Sequence, residues 1–196
     1  MRSAVLLAVV LLLPRAVFAE PSAVRQRVHA ASVIVGGGCS GALADGPDLV
    51  VTARHCVVGR DALEVRFMNG AVRTGFVAAT DDVADQAVLL LEEPVTIAPL
   101  TVARTIPISG SILYFEGNPG DPRYQEAQLE RIGRCPSLPG LPNALFTTVH
   151  GVPGDSGAPL VDTAERIVGL VHGGAQCQIA TPADTLARLI DRVLAP

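Results

Sequence analysis

The sequence predicts an all-β protein built from barrels and closed by one C-terminal helix. Three observations carry this expectation. Short runs rich in β-branched and aliphatic residues recur at close spacing through most of the chain. Met68-Asn69-Gly70 separates two of them as a hairpin turn would. A helical spacing of apolar residues stands out at the C-terminal end, where Leu186, Leu189, Ile190 and Val193 share a face. With 196 residues, 49% of them hydrophobic, the chain can bury a sizeable core as one domain or as two small barrels.

The chain opens with Met1-Arg2, an apolar run from Ala4 to Leu13, and Val17-Phe18-Ala19 before Glu20. An early charge, a short apolar stretch and small residues at the −3 and −1 positions predict a secretory signal peptide, residues 1–19, cut after Ala19. The run is about half of the ~20 residues that a membrane span needs. Residues 20–31 follow as a short mature N-terminal segment, with His29 expected in solvent. The strand runs are Ser32–Val35, Leu49–Thr52, Ala62–Phe67, Val72–Ala79 and Ala87–Leu91, with Cys39–Leu43 as the arm of a strand-turn-strand. In the second half they are Ser111–Phe115, Ala127–Ile132, Leu145–Val149, Pro159–Val161, Arg166–His172 and Cys177–Thr181. Between the halves, Leu100 to Ile108 has few charges, prolines at 99 and 107, and the character of a crossing. Thr181-Pro182-Ala183-Asp184 then predicts a helix start with Thr181 as N-cap and proline in the first turn.

All fifteen positive residues are arginine, and no basic run suggests nucleic acid. After signal removal the chain has 13 arginines against 19 acids, a net charge near −6, which bears on solubility alone. The four cysteines suit an oxidising compartment. A zinc site built from His55 and these thiols is the rival use for them, but the close Cys-x-x-Cys grouping of structural zinc sites is absent.

The chemistry centres on Gly151-Val152-Pro153-Gly154-Asp155-Ser156-Gly157-Ala158-Pro159-Leu160. A serine on such a glycine-rich turn can be presented as a nucleophile, with the amides of Gly154 and Ser156 aimed at a developing oxyanion. Upstream, Thr52-Ala53-Arg54-His55-Cys56 places a histidine just after the apolar run Leu49-Val50-Val51, and Asp85 opens the strand-like Gln86–Leu91. His55 titrates near neutral pH and can take and return a proton. Asp85 can fix its tautomer, and Asp81 and Asp82 compete for that role. The order His, Asp, Ser is one of the known solutions for a nucleophilic triad.

From about Ser32 to the C-terminal helix, these motifs resemble the chymotrypsin/trypsin family of serine proteases, closest in style to its compact bacterial secreted members. The resemblance implies two packed six-stranded antiparallel β-barrels with the site in the cleft. Residues 32–103 would form the barrel carrying His55 and Asp85, residues 104–181 the barrel carrying Ser156, and residues 182–196 the helix. It also implies a Cys39–Cys56 disulfide beside the catalytic histidine, which leaves Cys135 and Cys177 for each other. Ile34-Val35-Gly36-Gly37 imitates the new N-terminus that animal members create by activation cleavage. It lies too close to Cys39 to serve as one and is expected to be a strand leading into that cysteine. The partner of Asp155 is open at this point: an N-terminal amine, an arginine or backbone donors.

The resemblance places His150 on the floor of the primary substrate pocket, with Val171-His172-Gly173-Gly174 as its wall. The absence of an aspartate at 150 argues against selectivity for Arg or Lys. Two histidines near one pocket would suit an acidic side chain, although His172 is displaced by one residue from the histidine that glutamate-specific relatives use. A broad or small-apolar preference is the other expectation. Two function classes follow: a secreted serine endopeptidase, and a protease-fold binding protein without turnover. Either is expected as a monomer acting on a protein or peptide, with no metal, organic cofactor, nucleic acid or membrane partner.

Overall fold

A computed structural model describes residues 21–118, 121–173 and 177–195. The expected signal peptide and Gly174 lie outside these residues. The first barrel is made of β1 (Ser32–Val35), β2 (Cys39–Leu43), β3 (Leu49–Ala53), β4 (Ala62–Phe67), β5 (Val72–Asp81) and β6 (Gln86–Leu91). It closes in the order β1-β2-β3-β6-β5-β4. In β4 the period-2 pattern is complete: Leu63, Val65 and Phe67 turn into the core while Ala62, Glu64 and Arg66 face water. β3 is buried along its whole length, because its outer side meets the second barrel. β6 is buried almost throughout for the same kind of reason, its outer side lying under the C-terminal helix.

The second barrel consists of β8 (Ile112–Gly117), β9 (Arg123–Gly133), β10 (Ala144–Thr147), β11 (Pro159–Asp162), β12 (Arg166–Gly173) and β13 (Ile179–Pro182). The order β11-β8-β9-β10-β13-β12 is closed by pairing of β11 with β12. The crossing contributes a two-residue strand, β7 (Thr101–Val102), added in parallel to β12. The chain is therefore all-β in two six-stranded antiparallel barrels, with a C-terminal helix α2 (Ala183–Leu194).

Two helical features differ from expectation. The segment expected as a short mature N-terminus is helical: Pro21–Ala31 forms α1. Val24, Val28 and Ala31 recur at helical spacing and are fully buried, with α1 packed against β8. Each buried valine contributes about 1.5–3 kcal/mol by area removed from water. Arg27 donates to the carbonyls of Ala98 and Pro99 and pairs with Glu165, so α1 is also tied to the crossing. At the other end, α2 is preceded by Pro182 in extended conformation, without a side-chain cap. Thr181 cannot cap it because it is paired with Leu170 in the β12–β13 ladder.

The barrels are joined by polar contacts as well as by packing. Gln86, fully buried at the start of β6, donates to Thr181 Oγ1 and the Pro182 carbonyl and accepts from Thr185 Oγ1. All the hydrogen-bonding capacity of a buried amide that these contacts use would be costly to lose. Disulfides join Cys39 to Cys56 and Cys135 to Cys177. The first closes a loop of 17 residues, worth about 3 kcal/mol in the chain-entropy account. Among the described residues no helix is long and apolar enough to cross a membrane.

Candidate active site

β3 ends at Ala53 and turns directly into a single 3-10 turn, Arg54–Cys56, which carries His55. Three restraints fix that turn. Cys56 is bridged to Cys39 at the start of β2. The Arg54 amide donates to the Asp85 carbonyl at 3.0 Å, and the His55 amide donates to Asp85 Oδ1 at 2.9 Å. Asp85 itself has a left-handed φ of 52°, which turns its side chain from the end of the β5–β6 connection toward His55.

The three candidate aspartates take different roles. Asp81 accepts from the amides of Val83 and Ala84, so it shapes the turn. Asp82 is exposed and pairs with Arg54. Asp85 is the one within reach of His55, accepting from its Nδ1 at 2.7 Å. An ionised carboxylate only accepts, so Nδ1 carries the proton and Nε2 is left as the base. The bond to Asp85 raises the His55 pKa above 6.5, against the opposing effect of partial burial. Burial alone would push Asp85 up, but hydrogen bonds from His172 and His55 hold it at about 2.

Ser156 comes from the second barrel, on the turn before β11. Its carbonyl accepts from the Ser40 amide at 2.9 Å and lies 3.9 Å from Cys56 Sγ, which brings the nucleophile turn against the residue next to His55. Gly157 makes that approach possible. With φ of 84°, a Cβ there would sit 2.3 Å from the Ser40 carbonyl and 2.4 Å from Thr52 Oγ1. Ser40 Oγ donates to the Gly154 carbonyl at 2.7 Å, which orients the peptide leading into Asp155. Among the described residues the amides of Gly154 and Ser156 have no hydrogen-bond partner, as donors reserved for an incoming oxyanion would not. The Ser156 hydroxyl itself rests 3.5 Å from the His172 carbonyl rather than bonded to His55. Catalytic hydrogen bonds are often long before substrate binds.

Asp155 has an arginine and a backbone donor for partners. Buried at 1% exposure, it accepts from Arg123 Nη1 at 2.5 Å and from the Val152 amide at 2.8 Å. Arg123 also donates to the His150 carbonyl at 3.2 Å, so it braces both ends of the 150–155 loop. Burial raises the Asp155 pKa, and Val152 and Arg123 offset this only in part.

A cavity of about 260 Å³ opens beside Ser156, lined by residues of the 151–156 loop and by Val171, His172, Gly173 and Gln178. Gly173 is among these lining residues. His150 does not line this cavity; it is exposed and its backbone is held by Gln125 from both sides. His172 borders the cavity, but its imidazole is directed to Asp85, with Nδ1 at 2.6 Å from Oδ2. His29 is half exposed, yet its ring pairs with the buried carboxylate of Glu116 at 2.8 Å. Sequence reasoning missed Arg123, Gln178 and the His172–Asp85 bond. Each depends on a contact across many residues that no local pattern marks.

Two closed barrels meeting at a histidine, an aspartate and a serine on a glycine turn define a trypsin-like peptidase. A trypsin-like peptidase domain matches residues 39–170, and the chain belongs to that family. It is also 27% identical over 145 residues to the "Putative serine protease HhoA" of Synechocystis sp. (strain ATCC 27184 / PCC 6803 / Kazusa), covering 69% of this chain and 36% of that protein. The chain thus spans about a third of the length of that relative. Family and relative both point to a serine protease.

Proposed function

We propose that the protein is a secreted serine endopeptidase that works through an acyl-enzyme on His55, Asp85 and Ser156. The observation that carries this reading is the His55–Asp85 pairing beside a serine turn whose two amides have no hydrogen-bond partner among the described residues. Ser156 Oγ would attack the scissile carbonyl carbon while its proton passes to His55 Nε2. The oxygen of the tetrahedral intermediate would accept from the Gly154 and Ser156 amides. Collapse would break the C–N bond, with His55 returning the proton to the amine. Water would then repeat both steps on the ester and release Ser156.

Arg123 supports a site that needs no activation cleavage, since it already occupies the carboxylate that an inserted N-terminal amine would otherwise meet. The cavity favours small to medium apolar side chains. Its described walls are glycines, Val152, Pro153, Val171 and Gln178 beside Ser156 and His172, whose imidazole is turned to Asp85, while the one carboxylate there, Asp155, is engaged by Arg123. The two disulfides and the expected leader support export to an oxidising compartment.

Intact-mass measurement after treatment with a fluorophosphonate tests the reading. One adduct on the wild type and none on Ser156→Ala is the expected result. No adduct on folded wild-type protein would overturn it. That outcome would favour a binding module on the same fold, a reading for which the Ser156 hydroxyl turned to the His172 carbonyl is the supporting observation.

A further inference from the structure

The turn that carries the two oxyanion amides is fastened peptide by peptide, with one exception. The Asp155 amide donates to the Val152 carbonyl at 3.0 Å, and the Ala158 amide donates to the Asp155 carbonyl at 3.0 Å. The Gly157 amide donates to the Val171 carbonyl at 2.7 Å, and the Ser156 carbonyl accepts from the Ser40 amide at 2.9 Å. The peptide joining Pro153 to Gly154 is different. Among the described residues neither its carbonyl nor its amide has a hydrogen-bond partner. Gly154 has a φ of 101°, a region that a residue without Cβ enters and leaves at little cost. One of the two oxyanion donors is therefore the group least secured by its own turn.

The nearest restraint comes from the other barrel. Ser40, on β2 and fully buried, places Oγ 2.7 Å from the Gly154 carbonyl and 2.8 Å from the Asn118 amide. A carbonyl only accepts and an amide only donates, so the hydroxyl proton must point at Gly154. Asn118, just past β8, is itself buried, and the Ser40 carbonyl accepts from Thr52 Oγ1 at 2.7 Å, so the hydroxyl is held from both sides. A buried bond of this kind has no solvent to compete with it. Two hydrogen bonds thus run from the second barrel through a first-barrel hydroxyl and back to the turn that carries Ser156.

We infer that Ser40 is a positioning residue for the oxyanion hole: its hydroxyl fixes the Gly154 carbonyl, and with it the peptide from which the Gly154 amide is hinged. This inference rests on the protease reading above. It adds a residue whose side chain makes no hydrogen bond to His55, Asp85 or the Ser156 hydroxyl among the described residues.

Such a hydroxyl acts on the oxyanion alone. A bound substrate carbonyl asks little of the hole, whereas the tetrahedral intermediate puts a full negative charge on the oxygen facing the two amides. Loss of the bond should lower kcat and leave KM in place. The titration of His55 should not change, because no charge is gained or lost.

Two variants test the inference: Ser40→Ala removes the hydroxyl and Ser40→Thr keeps it. Values of kcat and KM are measured against pH on a p-nitroanilide peptide with alanine before the scissile bond. Inhibition by the matching peptide aldehyde is measured beside them, since its adduct places an oxyanion in the hole. Ser40→Ala is expected to lower kcat by about 10- to 100-fold, less than outright deletion of an oxyanion donor can cost. Aldehyde inhibition should weaken by a similar factor, KM should hold within about twofold, and the acid limb should stay in place. Ser40→Thr should recover most of kcat. A raised KM at unchanged kcat would overturn the inference in favour of a role in the pocket. Equal losses in the two variants would overturn it in favour of packing, and a shifted acid limb would overturn it in favour of an effect on His55.

A measurement on the unaltered protein does not depend on the variants folding. Proton NMR should show the Ser40 hydroxyl as a slowly exchanging signal close to the Asn118 amide, and its absence would overturn the inference. The signal in a protein that no fluorophosphonate labels would sink the protease reading and the positioning role with it, and leave only the hydrogen bonds standing.

Discussion

Asp85 and Asp155 are both buried aspartates within the same cleft, one from each barrel, and their environments drive them in opposite directions. Asp85 accepts three hydrogen bonds, two from imidazoles and one from an amide, and is held at about 2. Asp155 accepts two, both on Oδ2; its Oδ1 is buried and has no hydrogen-bond partner among the described residues, and its pKa is raised. Burial penalises the charge in both cases. What decides the outcome is how many donors reach the carboxylate, and on which oxygens. Asp85 is thereby kept ionised for work on His55, whereas Asp155 serves as an anchor for the loop that presents Ser156.

The sharpest way to break the comparison is to replace each aspartate's function in turn. Asp85→Asn keeps the shape but offers an amide where two imidazoles need an acceptor. It should reduce kcat/KM by about 10⁴-fold, as loss of the orienting carboxylate does in such triads. Assay on a chromogenic peptide with a small apolar residue before the scissile bond would check this, and a loss under tenfold would contradict the role given to Asp85.

Arg123→Leu acts on the other carboxylate. It should cost about 3 kcal/mol in urea unfolding, the low end for a broken buried pair because Asp155 can take up a proton instead. The double variant Arg123→Leu/Asp155→Asn should regain part of that stability, because no buried charge is then left unpaired. No difference between single and double variants would mean that Asp155 is already neutral in the folded protein.

The smallest effect is the dependence of stability on pH. A carboxyl held at about 2 contributes stability above its unfolded value of 3.8 and loses it as pH falls toward 2, by about 2 kcal/mol for Asp85. A carboxyl raised above 3.8 does the reverse, so the contribution of Asp155 falls as pH rises through its folded pKa. Unfolding measured from pH 2 to 7 should therefore change slope in opposite senses in Asp85→Asn and Asp155→Asn. Slopes of the same sign would refute the contrast.

The same contrast marks what could be read in the sequence. His55, Asp85 and Ser156 stand in local contexts with distinctive signals: a histidine after an apolar strand, an aspartate opening another, a serine between glycines. Strands such as β4 announce themselves because one face is wet and the other dry. Arg123, Gln86 and the imidazole of His172 carry no such mark, since their partners lie 32, 95 and 87 positions away. Helix α1 was hidden for a related reason. Its apolar face comprises only Val24, Val28 and Ala31, and that face is completed by β8 rather than by anything nearby in the chain. The position of His150 was carried over from the resemblance alone, and the backbone bonds to Gln125 that hold it outside the cavity are again contacts between distant strands.

The packing of α1 also bears on the order in which the molecule can be made. A ribosome delivers Val24 and Val28 early, but the strand that covers them begins at Ile112. At about 5–20 residues per second, those side chains wait on the order of ten seconds for their partner. Ser156 and His172 emerge later still, and α2, which bonds back to Gln86 through Thr185, follows them. The cleft can therefore be assembled only after His172 has been made, long after the strands of the first barrel have all been delivered.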